Sequence, residues 1–295
     1  NTGGTWNTNS KQDKIAYIAG GGNITNMSFA GTAISLDLGT TGSGSDFSGV
    51  IAGTGNLAIT GGGVGGATST QIFSGPNTYT GTTTVSAGVL NIQNATALGT
   101  TAAGTSVTAG AALQIQNGIT VGAEALTLNG TGISSDGALR NISGTNVWQG
   151  TVTLGSAVRI NSDAGSLTFN TAANSITATN QNLTLGGAAG GTVGGTITTG
   201  SGTLTKDGAG TWTLSGTNTY TGGSTLTAGI LELKNTAGLG AAGQAIALNG
   251  GTLDFDTDAT VNAYNTTVGG TVTIESDRAT SGAGITHVLG TLSIG

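Results

Sequence analysis

A chain that repeats itself must build its core from like upon like, and this chain repeats itself at two scales. Residues 74–99 read SGPNTYTGTTTVSAGVLNIQNATALG and residues 215–240 read SGTNTYTGGSTLTAGILELKNTAGLG, an ungapped match at an offset of 141 with 14 of 26 positions identical. Upstream, residues 50–57 correspond to residues 197–204 at an offset of 147, so the glycine-rich residues 61–69 read as a loop insertion. A shorter period is nested inside. VLNIQN at 89–94 returns as ALQIQN at 112–117, 23 residues on, and ILELKN at 230–235 returns as TLDFDT at 252–257, 22 residues on. Three short strands and three corners fit that length, and successive laps would stack as parallel strands about 4.8 Å apart. The register places Leu90 and Ile92 on Leu113 and Ile115, Leu231 and Leu233 on Leu253 and Phe255, and Asn94 over Asn117 at a corner. The expected fold is all-β, a parallel β-helix of about 13 coils of roughly 22 residues. It forms a single domain over 1–295, with repeat copies at 48–117 and 195–257.

Local patterns agree. The chain has 57 glycines and one proline among 295 residues, and glycine interrupts nearly every window of ten, at a cost of about 1 kcal/mol each in a helix interior. Only residues 94–98 and 235–239 could hold a helical turn. Strand alternation recurs throughout, as in Leu126-Thr127-Leu128, Val152-Thr153-Leu154, Trp212-Thr213-Leu214 and Val272-Thr273-Ile274, with threonine on the wet side. Charged residues are only 7% of the chain and the net charge is −6, so no basic stripe exists to meet nucleic acid. The absence of cysteine removes thiolate metal sites, thiol nucleophiles and disulfides, and the lone histidine, His287, removes a histidine cluster. No apolar run is long enough for a membrane-spanning helix.

Residues 207–235, DGAGTWTLSGTNTYTGGSTLTAGILELKN, closely resemble the passenger-associated repeat, also called the autotransporter-associated β-strand repeat, of Gram-negative type V secreted proteins. Residues 70–94 resemble it too, though they lack the preceding KDGAG turn and carry Ile72-Phe73 where the second copy has Trp212-Thr213. Residues 126–163 are similar to the segments that link such repeats. The resemblance implies a right-handed β-helix exported through the outer membrane and displayed at the bacterial cell surface. It implies adhesion, biofilm formation or aggregation, with other cells, extracellular matrix, glycans or copies of the chain as partners. No translocator barrel is expected within these residues, since aromatics are only 4% of them. With no polar cap at either end, the chain reads as an interior piece of something larger or as a unit stacking end to end.

Candidate sites are few. The richest acidic cluster is Asp254, Asp256, Asp258, Glu275 and Asp277. An offset of 19 would set Asp256 beside Glu275 and Asp258 beside Asp277, while the lap before would set Glu232 beside Asp254 and Lys234 beside Asp256. Stacked carboxylates could bind calcium or act as a catalytic pair; the competing reading is a row of solvated charges that keeps the rod soluble. No catalytic residue is assigned and no cofactor is expected apart from that calcium. His287 has no carboxylate near it in sequence. Trp6, Trp148 and Trp212 could stack on sugars, but Trp212 has the phase of the core. Tyr79 and Tyr220 occupy equivalent corners where the hydroxyl would reach a backbone group. Arg140 with Asp136, and Arg159 with Asp163, read as turn contacts, and the glycine runs 20–22 and 61–63 lack the helix and lysine of a phosphate loop. Thr-x-Thr triplets at 151–153, 203–205, 211–213, 225–227 and 271–273 resemble the faces of ice-binding solenoids, but their spacing argues against one per coil.

Overall fold

The computed structural model describes residues 6–7, 14–15, 18–27, 33–36, 44–60, 69–170 and 174–295. The insertion expected at 61–69 lies almost entirely outside the described residues, as do the glycine run 61–63 and the side chain of Trp6. Among the described residues every strand pairing is parallel, and none joins sequence neighbours in a hairpin. The chain instead winds past three faces in turn. Sheet I carries Ala33–Leu36, Asn56–Ile59, Thr83–Val85, Thr105–Val107, Leu126–Gly130, the first half of Val152–Ser162, Asn174–Ala178 and Thr196–Thr198. Sheet II starts at Ser45–Phe47, passes through Val89–Ile92, Ala112–Ile115, Leu139–Asn141 and the second half of Val152–Ser162, and ends at Leu292–Ile294. Sheet III runs from Thr120–Val121 through Thr145–Trp148, Ser166–Phe169, Gly190–Val193, Thr211–Leu214, Ile230–Leu233 and Gly251–Asp256 to Val272–Asp277.

The fold is a parallel β-solenoid of about 11 turns, not 13, with ~22 residues to a turn. Sheet II holds eleven successive laps between Ser45–Phe47 and Leu292–Ile294, whereas a count of 13 spreads the same period over all 295 residues; lap length itself varies. Leu113 pairs with Leu139 and Val268 with Ile294, so these laps take 26 residues each. The register itself is as the period requires: Leu90 pairs with Leu113, Ile92 with Ile115, Leu231 with Leu253 and Leu233 with Phe255. All eight side chains are buried, and each contributes about 1.5–3 kcal/mol of apolar burial. Trp148 and Trp212 join this core with their indole N–H groups donating to Glu124 O and Gly186 O, both at 3.1 Å. No α-helix forms among the described residues, and the turn-prone residues 94–98 and 235–239 are hydrogen-bonded turns.

An offset of 141 is not a whole number of laps. Val89–Ile92 lies in sheet II, whereas its counterpart Ile230–Leu233 lies in sheet III; Thr83–Val85 lies in sheet I, and Ser224–Leu226 continues sheet II. The two repeat copies are therefore about six laps and one face apart. Each ends its turn on a left-handed glycine, Gly99 at φ 82° and Gly240 at φ 89°, where a Cβ would stand 2.4 Å from Tyr79 O or 2.6 Å from Tyr220 O.

Candidate functional site

Outward side chains form rows because each lap lies on the one before. On sheet I the row Thr84, Ser106, Thr127, Thr153, Thr177, Thr198 runs without a charge over six laps. Neighbouring hydroxyls approach to 3.4 Å at Ser106–Thr84 and at Thr153–Thr177. The five Thr-x-Thr triplets of the sequence are scattered over all three sheets, so triplet spacing did not reveal this row; single threonines one lap apart build it.

The acidic cluster lies on the outer side of sheet III. Glu232 pairs with Asp254 as expected, and Lys234 Nζ reaches Asp256 Oδ2 at 2.7 Å and Glu232 Oε1 at 3.2 Å. The next lap is offset by 21, not 19: Asp254 stands beside Glu275 and Asp256 beside Asp277. Sheet II fixes this, because Leu248 pairs with Val268 twenty residues on and the following corner is one residue longer. Asp258 leaves the row. Its carboxylate accepts hydrogen bonds from Thr280 N at 3.1 Å and Thr280 Oγ1 at 2.9 Å and pairs with Arg278 at 3.2 Å, contacts that hold its pKa below the usual range, the Thr280 hydroxyl foremost. Asp254 moves the other way. Burial first, then the charges of Glu232, Glu275, Asp256 and Asp277, push it up to about 6, and its Oδ1 is buried without a partner. Among the described residues no three His, Asp or Glu side chains are grouped as a metal ion requires.

On sheet II the charges form a chain. Asp136 and Asp163 flank Arg140 at 3.4 and 2.5 Å; Asp163 accepts from Asn161 at 2.6 Å, Asn161 from Arg159 at 3.0 Å, and Arg159 pairs with Asp207 at 2.6 Å. The expected Arg140–Asp136 contact is present. The Arg159–Asp163 contact is not: Asp207, two laps above, meets Arg159 over Gly186 of the lap between, and Arg140, one lap below, takes Asp163. Asn94 does not meet Asn117. Asn94 closes its own turn on Thr96 N at 3.0 Å, while the ladder between laps is Asn91–Gln114 and Asn117–Gln93, both at 3.1 Å. Tyr79 and Tyr220 are buried corners, with hydroxyls bonded to side chains and not backbone: Thr83 at 2.5 Å and Ser224 at 2.7 Å. Trp148 and Trp212 are unavailable for stacking on a sugar, and His287 rests on Phe255, ring centroids 5.4 Å apart.

Sequence reasoning passed over three buried polar residues. Asn77 accepts from Ile51 N at 2.8 Å and donates to Ala97 O at 2.6 Å; Asn218 repeats both bonds with Ile197 N and Gly238 O at the same distances. Each bolts three laps together, and the shared NTYTG string was the signal. Lys206, fully buried, donates to Asp207 O, Gly208 O and Ala228 O at 2.9 Å each; burial lowers its pKa to about 8.

The passenger-associated-transport-repeat family model matches residues 68–92 and 204–233, which overlap the two windows of the internal repeat, 74–99 and 215–240. No curated protein and no solved structure matches the chain. The chain carries two passenger-associated-transport repeats, which support its assignment as an autotransporter passenger domain wound into a parallel β-solenoid.

Proposed function

We propose that the chain is a non-enzymatic adhesive rod: a right-handed β-helix displayed outside a Gram-negative cell, where its outer rows meet other cells, matrix glycans or copies of itself. The observation that carries this reading is the coincidence of two passenger-associated-transport repeats with a solenoid that is polar outside and apolar within. A rod held by stacked Leu, Ile and Val columns offers a long, stiff face on which weak contacts add. Sheet I is the contact face in this reading, because its uncharged hydroxyl row meets a partner without the repulsion that a net charge of −6 imposes elsewhere.

The test is display of the chain on bacterial cells, scored by settling and by retention on glycan-coated surfaces. Thr127→Lys with Thr153→Lys and Thr177→Lys places three like charges on successive laps. Adhesion that drops several-fold in the triple variant supports the reading. Adhesion no greater than that of bare cells, or calcium-dependent cleavage of pectin or alginate by the purified chain, contradicts it.

A further inference from the structure

The two repeats differ in what fills the space under the turn. Residues 121–128, VGAEALTL, cross the turn of the first repeat, and residues 261–268, VNAYNTTV, cross that of the second. Burial alternates in the same way through the first six positions of each. Leu126 pairs with Thr105 and Thr266 with Ile246, and Thr105 and Ile246 are themselves 141 residues apart, so Glu124 and Tyr264 hold the same place in the two repeats.

In the second repeat Tyr264 fills that place. Its ring is buried, and its hydroxyl accepts from Leu239 N at 3.2 Å and lies 3.2 Å from Thr236 O and 3.3 Å from Gly240 O. In the first repeat the shorter Glu124 is drawn toward Thr105, whose Oγ1 donates to Glu124 Oε1 at 2.8 Å. A cavity of about 380 Å³ remains, with Asn77, Leu98, Val121 and Glu124 at its base and the exposed Thr96 and Thr100 on its rim. Leu98 N–H, the counterpart of the Leu239 N–H that bonds Tyr264, has no hydrogen-bond partner among the described residues. Thr120–Val121 above pairs only upward, with Val147–Trp148, so no strand ladder closes the gap.

Charge narrows the occupant. Residues 47–123 contain no charged side chain, and Glu124, 3% exposed, makes no ion pair with any described lysine or arginine. A buried carboxyl group without a counter-charge gains most from a cation that arrives with apolar surface.

We propose that this cavity binds a phenolic amine: the ring takes the place that Tyr264 fills in the second repeat, the hydroxyl bonds Leu98 N–H, and the ammonium pairs with Glu124. The volume is that of a small-ligand pocket, and the second repeat supplies the template for ring and hydroxyl. Burial raises the pKa of Glu124, a cost that an ammonium partner offsets. The site does not depend on the adhesive role proposed above.

Calorimetric titration of the purified chain with tyramine tests this, with 4-methylphenol as the ring-and-hydroxyl probe lacking the amine. One-site tyramine binding is expected, abolished in Glu124→Tyr, whose own ring closes the cavity. In Glu124→Gln, tyramine affinity is expected to fall about tenfold or more while 4-methylphenol binds as it does to the unaltered chain. Circular dichroism and a thermal melt establish that each variant folds. Should Glu124→Tyr not fold, Val121→Trp fills the same space and carries the same expectation. No tyramine binding at millimolar concentration, or equal binding by the unaltered chain and the filled variant, overturns the site. Equal tyramine affinity in Glu124→Gln overturns the ammonium contact.

Discussion

Single residues in this molecule are decided by the laps above and below them. Asp254 shows this most clearly. Its unfolded pKa lies near 3.8 and its folded pKa near 6, chiefly because it is buried and then because four carboxylates surround it. Between about pH 4 and pH 6 the folded protein therefore holds a proton that the unfolded chain has released, and stability falls as pH rises through that window and stays reduced above it. Asp254→Asn is expected to raise the urea midpoint at about pH 7.5, with the gain shrinking toward about pH 4.5. A gain that grows toward acid would contradict this account of the ladder. Sequence spacing gave the partner of Asp254 on one side, Glu232, and missed the other. Spacing within one lap is blind to corner length in the next: sheet II takes 20 residues and the corner to sheet III one more, two beyond the offset of 19, which sets Asp254 on Glu275. Arg159 failed for the same reason: Asp163 is near in sequence, but Asp207 is near in space.

At the scale of the element, the corners tie the laps together as much as the strands do. Each strand is only three to six residues long in most laps, and the string NTYTG places one buried Asn where it bonds the lap below and the turn of the lap above. Asn77→Ala and Asn218→Ala each leave a buried N–H and a buried carbonyl unpaired, at about 1–3 kcal/mol per group. Both variants are expected to lower the denaturant midpoint by similar amounts, because the four distances are the same in the two copies. A loss in one copy alone would show that the corners are not equivalent in energy. These elements were legible in part: the inward Leu and Ile columns follow from the 22–23 residue period, and Trp212 from its phase. The amide ladder was misplaced by one position, since Asn94 is drawn off by its own turn, a local hydrogen bond that competes with stacking.

At the scale of the whole molecule, one face carries an uncharged row from Thr84 to Thr198, another carries an acidic row, and the two repeats present their turns on different faces. That last feature was hidden in the sequence, because an offset of 141 gives the distance between copies but not the number of corners passed. The central claim is that every lap lies on the one before in register, so that separation in space grows by one strand spacing per lap whatever the separation in sequence. Thr84 and Thr198 lie five laps apart on sheet I, and Thr184 and Ser293 lie five laps apart on sheet II. The chain has no cysteine, so paired Cys substitutions at these positions can be spin-labelled cleanly. Pulsed electron–electron resonance is predicted to return about 24 Å for both pairs. Two clearly different distances, or one far from that value, would contradict the stacked solenoid.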